Sequence, residues 1–241
     1  MPKILRVKDA SDKFHKSMPT FDLPFKILIN GKSQMSGKTT VVLNLLMNPE
    51  FGYDKLFLGE NIYIISDNKL DLKLKLLQDF KSIPDANIMS YDESTLEVLY
   101  EHLEELFIEE RDDKNIQNRV IIFDDVGYSG NLKSKEFGII SKLVANGRHL
   151  NLSQIYTSQR FTMVSTTVRA NITGAILFST SARELELISD DFNYLENRKE
   201  FVKMFRKYTA NPRSFLVVNF TNKDGMYMDT DFKTIREKTT D

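Results

Sequence analysis

The sequence predicts an α/β fold: a three-layer sandwich with helices on both faces of a mostly parallel central sheet. Three observations point there. Short apolar runs of strand length alternate with stretches of helical periodicity. The chain has 241 residues, enough for one sizeable core. The residues that carry chemistry fall just after the apolar runs, where open parallel sheets bind their ligands.

Residues 1–24 are mixed and polar, with Pro19 and Pro24 as breakers, and read as an N-terminal arm; residues 25–241 read as a single domain. Strands are expected at 25–29, 61–66, 119–123, 152–157, 175–179 and 214–220, with a weaker one at 86–91. Helices are expected at 39–47, 70–82, 95–110, 134–146, 182–189 and 196–208. Ser94 and Glu97 have the spacing of a capping box for the third helix. That helix repeats Leu96, Leu99, Leu103, Leu106 and Phe107 at helical spacing, with acidic residues on its other faces, which suits a solvated amphipathic helix.

Composition excludes several function classes. There is no cysteine, so disulfides, zinc ribbons and thiol catalysis are ruled out together. His15, His102 and His149 are too scattered to suggest a metal site. The net charge of −1 provides no global field toward nucleic acid or membrane, so a DNA partner must be held by local features. No apolar run approaches the roughly 20 residues that span a bilayer. The first residues lack the apolar stretch of a secretory signal, and the protein is expected to stay where it is made.

The first chemical motif follows the first strand. Gly31, Ser33, Gln34, Met35, Ser36, Gly37, Lys38, Thr39 and Thr40 lie between that strand and an apolar helix. Backbone N–H groups of such a loop, with the positive end of the helix, surround phosphates. Lys38 is expected to reach the β- and γ-phosphates and the Thr39 hydroxyl to ligate Mg²⁺. One departure stands out. The usual pattern puts its first glycine where Lys32 stands, and Gly31 is one residue early. Either the loop holds an extra residue or Lys32 takes that position.

The second motif is the run 119–123, which ends in Asp124 and Asp125. Adjacent carboxylates rarely end a buried strand without a partner. With the phosphate loop upstream, Asp124 is expected to hold the Mg²⁺ shell and Asp125 to polarise an attacking water. The alternative is a strand running into an acidic turn. The run 152–157 leads to Gln159; if this strand lies beside the acid-bearing one, Gln159 points at the γ-phosphate, and otherwise it is a polar loop residue. Together these motifs predict a P-loop NTPase of the RecA/ASCE-like kind.

Two features mimic a guanine-nucleotide switch. Asp124 to Gly127 fits D-x-x-G, and Asn222-Lys223-Asp224 looks like the start of N-K-x-D. Position 225 is glycine where the acid belongs, and Asp224-Gly225 reads instead as a hairpin turn. A small-molecule kinase leaves the paired acids and the strand-end glutamine unexplained.

The segment 147–171 is the most specific part of the chain, with Arg148, His149, Asn151, Gln159, Arg169 and Asn171. With the acid pair and the late strand 215–219, it resembles the poxvirus-type DNA-packaging ATPases of the FtsK–HerA superfamily, found in large DNA viruses and virophages. The resemblance covers about residues 25–238. It implies an ATP- and Mg²⁺-dependent motor that threads double-stranded DNA into a preformed capsid. It also implies a homo-oligomeric ring, pentamer or hexamer, that meets capsid or portal vertex proteins, needs no membrane, and works in the host-cell cytoplasm at the viral factory or with the virion. In such a ring a neighbour's arginine stabilises the γ-phosphate, and Arg148, then Arg169, are the candidates. Their bland alternatives are a helix-dipole contact and a local ion pair. For DNA contact the candidates are the basic segment 198–207 and a segment carrying Lys133 and Lys135, against an amphipathic helix and a solvated loop. Another DNA translocase or helicase and a low-turnover nucleotide-binding switch are the alternative functions.

Overall fold

The computed structural model describes residues 16–32, 36–68, 70–113, 116–125, 138–222 and 224–236. Among these, eight strands form one sheet. They are β1 (Lys26–Asn30), β2 (Ile62–Ser66), β3 (Ile88–Met89), β4 (Arg119–Asp124), β5 (Leu152–Ser158), β6 (Gly174–Phe178), β7 (Phe215–Asn219) and β8 (Tyr227–Met228). The spatial order is β3-β2-β4-β5-β1-β6-β7-β8. The first six of these run parallel, and β7 and β8 close the edge antiparallel. The helices are α1 (Lys38–Met47), α2 (Leu72–Lys81), α3 (Glu93–Asp113), α4 (Ile139–Asn146), α5 (Thr166–Asn171), α6 (Ala182–Phe192) and α7 (Arg198–Tyr208).

The long central strands are buried at every position, because each face carries its own apolar layer. On one face Leu28, Tyr63, Ile121 and Tyr156 pack under α3, α4, α6 and α7. On the other, Ile27, Ile64, Ile122 and Ile155 pack under α1 and α2. The same face receives Phe21 and Leu23 from the chain before β1, where Tyr53 accepts from the Phe21 N–H (2.8 Å) and Asn219 donates to the Thr20 carbonyl.

The expected elements are present with small shifts, and one expected cap is wrong. α3 begins at Glu93, and its cap is Asp92, whose carboxylate accepts from the Thr95 N–H at 2.8 Å. Ser94 lies inside the first turn and donates to that carboxylate. A charged acceptor makes the stronger cap, so the helix starts two residues earlier than the Ser94–Glu97 spacing predicts. The weak strand shrinks to Ile88–Met89 at the sheet edge, and α4 is described from Ile139 onward. Asp224 and Gly225 join β7 to β8, with the Asn222 side chain accepting from the Gly225 N–H at 3.1 Å.

Candidate functional site

β1 delivers the chain to the carboxyl end of the sheet between β5 and β6. There the Gly31 N–H donates to the Ser158 carbonyl at 3.0 Å. A Cβ on Gly31 would stand 2.8 Å from Phe178 and 2.9 Å from Ser36. Crowding, not spacing, therefore requires glycine at 31. Ser33, Gln34 and Met35 lie outside the described residues; on either side of them the Ser36 hydroxyl donates to the Lys32 carbonyl at 2.8 Å. Gly37 sits at φ 89, a left-handed conformation that suits glycine, and precedes α1 without a side-chain cap. The first turn of α1 holds no acid, and no side chain among the described residues caps its N–H groups, an arrangement that suits an anion.

Lys38 is buried. Its ammonium donates to the Gly31 carbonyl at 3.1 Å and stands 3.7 Å from Asp125 Oδ1. Thr39 is half-buried beside it, and Thr40 Oγ1 accepts from Lys73 Nζ at 2.8 Å.

β4 ends in the acid pair, with β5 alongside in register Phe123↔Tyr156. The next residue of β5, Thr157, serves both acids: its hydroxyl donates to Asp124 Oδ1 at 2.9 Å and accepts from the Asp125 N–H at 2.9 Å. Asp125 adopts φ 52, which turns it out of the strand direction. Gln159 donates to Asp125 Oδ2 at 3.1 Å. Asp125 Oδ1 is buried and accepts no hydrogen bond among the described residues. Burial pushes the Asp124 carboxyl up to about 6; the charges of Asp125 and Asp71 add to this, while the Thr157 hydrogen bond and Lys38 oppose it.

These groups line one cavity of about 660 Å³. Ser36, Gly37, Lys38, Thr39, Asp124, Asp125 and Gln159 all face it. Asp67, Asn68, Asp71, Leu72 and Lys73 complete it, and sequence reasoning passed over them, although the end of β2 at Ser66 is the kind of place where such polar residues belong. Thr157 also escaped notice, because its role depends on the β4–β5 register. Among the described residues no three metal-binding side chains cluster. One desolvated carboxylate with a nearby hydroxyl suits Mg²⁺ all the same, since that ion keeps waters and takes phosphate oxygens as its other ligands.

Two predicted residues lie elsewhere. Arg148 is exposed in the 3₁₀ turn that precedes β5, with Nε 3.5 Å from His149 Nε2. Arg169, on α5, pairs with Asp191, and its guanidinium sits 4.8 Å from the centre of the Phe161 ring. Both are near the starts of parallel strands, β5 and β6, and so at the end of the sheet opposite the cavity. Asn151 ends the turn after Arg148 at φ 50, donating to the Gln117 carbonyl at 2.9 Å. Asn171 donates back to Thr167 at 2.9 Å. In α7, Phe201, Met204 and Phe205 are buried while Arg198, Lys199, Lys203, Arg206 and Lys207 form an exposed basic face. Lys133 and Lys135 lie outside the described residues.

Comparison with known proteins adds to this geometry. The family model described as Poxvirus A32 protein matches residues 12–241. No curated protein matches the chain. Among solved structures, the fold is similar to B204, the DNA-packaging ATPase from Sulfolobus turreted icosahedral virus, with a TM-score of 0.57 and 20% identity over 89% of this chain and 99% of that one. The genome packaging NTPase B204 of Sulfolobus turreted icosahedral virus 2, in complex with AMPPCP, gives a TM-score of 0.57 and 18% identity over 88% of this chain and 98% of that one. EssC (ATPases 2 and 3) from Geobacillus thermodenitrificans gives 0.58 and 15% identity over 90% of this chain and 41% of that one.

Proposed function

The chain belongs to the poxvirus A32 protein family, and on that premise we propose that it is an ATP-driven motor that moves double-stranded DNA into a viral capsid. The observation that carries this reading is the convergence of Lys38, the two acids and Gln159 on one cavity at the carboxyl end of the sheet. B204, whose fold is similar, is itself a DNA-packaging ATPase.

In this reading the N–H groups at the start of α1 and the Lys38 ammonium hold the β- and γ-phosphates and neutralise charge as it develops. Asp124 and the Thr39 hydroxyl would hold Mg²⁺, which would supply charge neutralisation at the phosphates. Asp125 orients and polarises the attacking water with the carboxylate oxygen that accepts no hydrogen bond among the described residues. Gln159 holds the other oxygen and so keeps the carboxylate in line.

The arginine contributed to this site comes from a second copy of the chain, because Arg148 and Arg169 lie at the far end of their own sheet. The surface that receives the neighbour is the outer face of α2. Leu72, Leu76 and Phe80 project from it at four-residue spacing and are 84%, 54% and 59% exposed. Leu72 also lines the cavity, so a neighbour seated on this stripe reaches the nucleotide. The resulting ring acts at a capsid or portal vertex, in the host-cell cytoplasm.

The test is phosphate release by the full chain with and without blunt duplex DNA, with mass in solution recorded alongside. Duplex-stimulated turnover by a ring is expected. Activity that ignores nucleic acid would remove the motor reading, and stimulation only by forked DNA with strand separation would replace it with a helicase. Asp125→Asn is expected to keep nucleotide affinity and lose turnover by about 10²–10⁴-fold; normal turnover would take the water-activating role from Asp125.

A further inference from the structure

Two buried polar side chains lie at the far end of the sheet from the phosphate cavity and take no part in the chemistry set out above. Lys26 opens β1, and Gln154 stands beside it in β5, paired in register. Strand alternation puts both on the face that carries Leu28 and Tyr156, beneath α4. Each reaches a different carbonyl in the last turn of that helix. Lys26 Nζ donates to the Val144 carbonyl at 2.8 Å, and Gln154 Nε2 donates to the Leu143 carbonyl at 2.7 Å. The Tyr156 hydroxyl donates to Gln154 Oε1 and so fixes which way the amide faces.

The last carbonyls of a helix lack partners within it, and a cation suits that end of its dipole. A cap of this kind is ordinarily a nearby side chain in water. Here the cation comes from a strand 118 residues away in sequence, and burial, with the charge of Arg148 adding to it, lowers its ammonium to about 8. A buried ammonium is costly, and an apolar residue would fill the position without that cost. The turn that carries Arg148 follows directly. Gly147 lies so close to the Gln154 amide that a Cβ there would stand 2.1 Å from Nε2. Past it, the Asn151 N–H closes the turn on the Arg148 carbonyl at 3.4 Å. The backbone around Arg148 is therefore held on both sides, while its guanidinium is exposed and has no ion pair among the described residues. The Lys26 charge repels that guanidinium and opposes its folding back onto its own sheet.

We propose that Lys26 and Gln154 are positioning residues: together they clamp the end of α4 to the sheet, so that the turn after it presents Arg148 outward to the nucleotide site of a neighbouring copy. This inference rests on the reading in which a neighbour's arginine completes the site. It deepens that reading by choosing Arg148 over Arg169, whose guanidinium is already held by Asp191.

The test is ATP turnover with duplex DNA by mixed assemblies of the full chain, made by co-expression. Lys26→Met and Gln154→Met keep most of the side-chain bulk and remove one donor each. Alone, each variant is expected to lose turnover by about 10–100-fold with nucleotide affinity unchanged, because its own phosphate cavity is intact. Mixed with Lys38→Ala subunits, which bring a sound arginine but no working site, each should regain turnover. A neighbour does not repair a defect in the variant subunit's own fold or cavity, so this recovery separates positioning from stability. Wild-type turnover by both variants, a loss that mixing leaves unrepaired, or failure of both variants to fold would overturn the proposal. Arg148→Ala separates the two readings. If Lys38→Ala subunits rescue it but not the two clamp variants, the positioning role alone fails. If Arg148→Ala turns over as wild type does, or is not rescued, the reading of Arg148 as the neighbour's arginine fails and the positioning role falls with it.

Discussion

Thr157 is a single hydroxyl that donates to one acid and accepts from the backbone of the next, so it fixes the spacing between the proposed metal-binding and water-activating groups. Thr157→Val keeps the shape and removes both bonds. We expect Mg²⁺-dependent nucleotide affinity or turnover to fall about 10–100-fold, as for other partners of metal ligands, measured by titration and phosphate release. Asp124 makes a pH prediction. Its carboxyl titrates near 6 in the fold against 3.8 for the free group, chiefly because it is buried. Between these values the folded state holds a proton that the unfolded state has lost, so this residue's contribution to stability is complete below about 4 and disappears as the pH rises through 6. The full effect is on the order of 3 kcal/mol. In thermal denaturation without Mg²⁺, Asp124→Asn should show a smaller loss of Tm than wild type over that window. Stabilisation by Mg²⁺ and nucleotide should grow with pH over the same window in wild type alone, because the ionised carboxylate is the binding form. Lys38, Thr39, Asp124, Asp125 and Gln159 are legible in the sequence because each follows an apolar run. Thr157 is not, because its partners lie 32 and 33 residues away and only the strand register brings them together.

At the scale of elements, the strand runs identify the sheet, since residues buried on both faces must be almost continuously apolar. Helix starts are harder to read, because several polar residues near Asp92 compete to satisfy the same N–H groups. Asp92→Ala should therefore destabilise the protein by about 1 kcal/mol and Ser94→Ala by only a few tenths, measured by denaturant unfolding. The reverse order would restore the Ser94 cap. The site's loop was partly legible: Gly37 and Lys38 announce it, while the early glycine makes sense only once Phe178 is seen to close against Gly31.

For the whole molecule, strand order is what the chain conceals. Nothing local says that β5 lies between the phosphate-loop strand and the acid-bearing strand; long-range pairing sets that position. The proposed assembly is also a property of the whole. The α2 stripe and the arginine-bearing end are different surfaces, so the proposed contact between copies is head-to-tail, the kind that forms a ring where the rotation closes, and not a symmetric pair. Leu76→Lys with Phe80→Glu should reduce the particle to a monomer in light scattering, with nucleotide affinity within about threefold of wild type; rings that survive the double change would dismiss the stripe. The placement of β5 has one more consequence. The strand is about 23 Å long, clamped by ladders on both flanks, with Gln159 just past one end and Arg148 just before the other. Pairing on both flanks makes this strand a stiff strut, so in the proposed motor a shift at its glutamine end would be carried along one continuous backbone toward its arginine end.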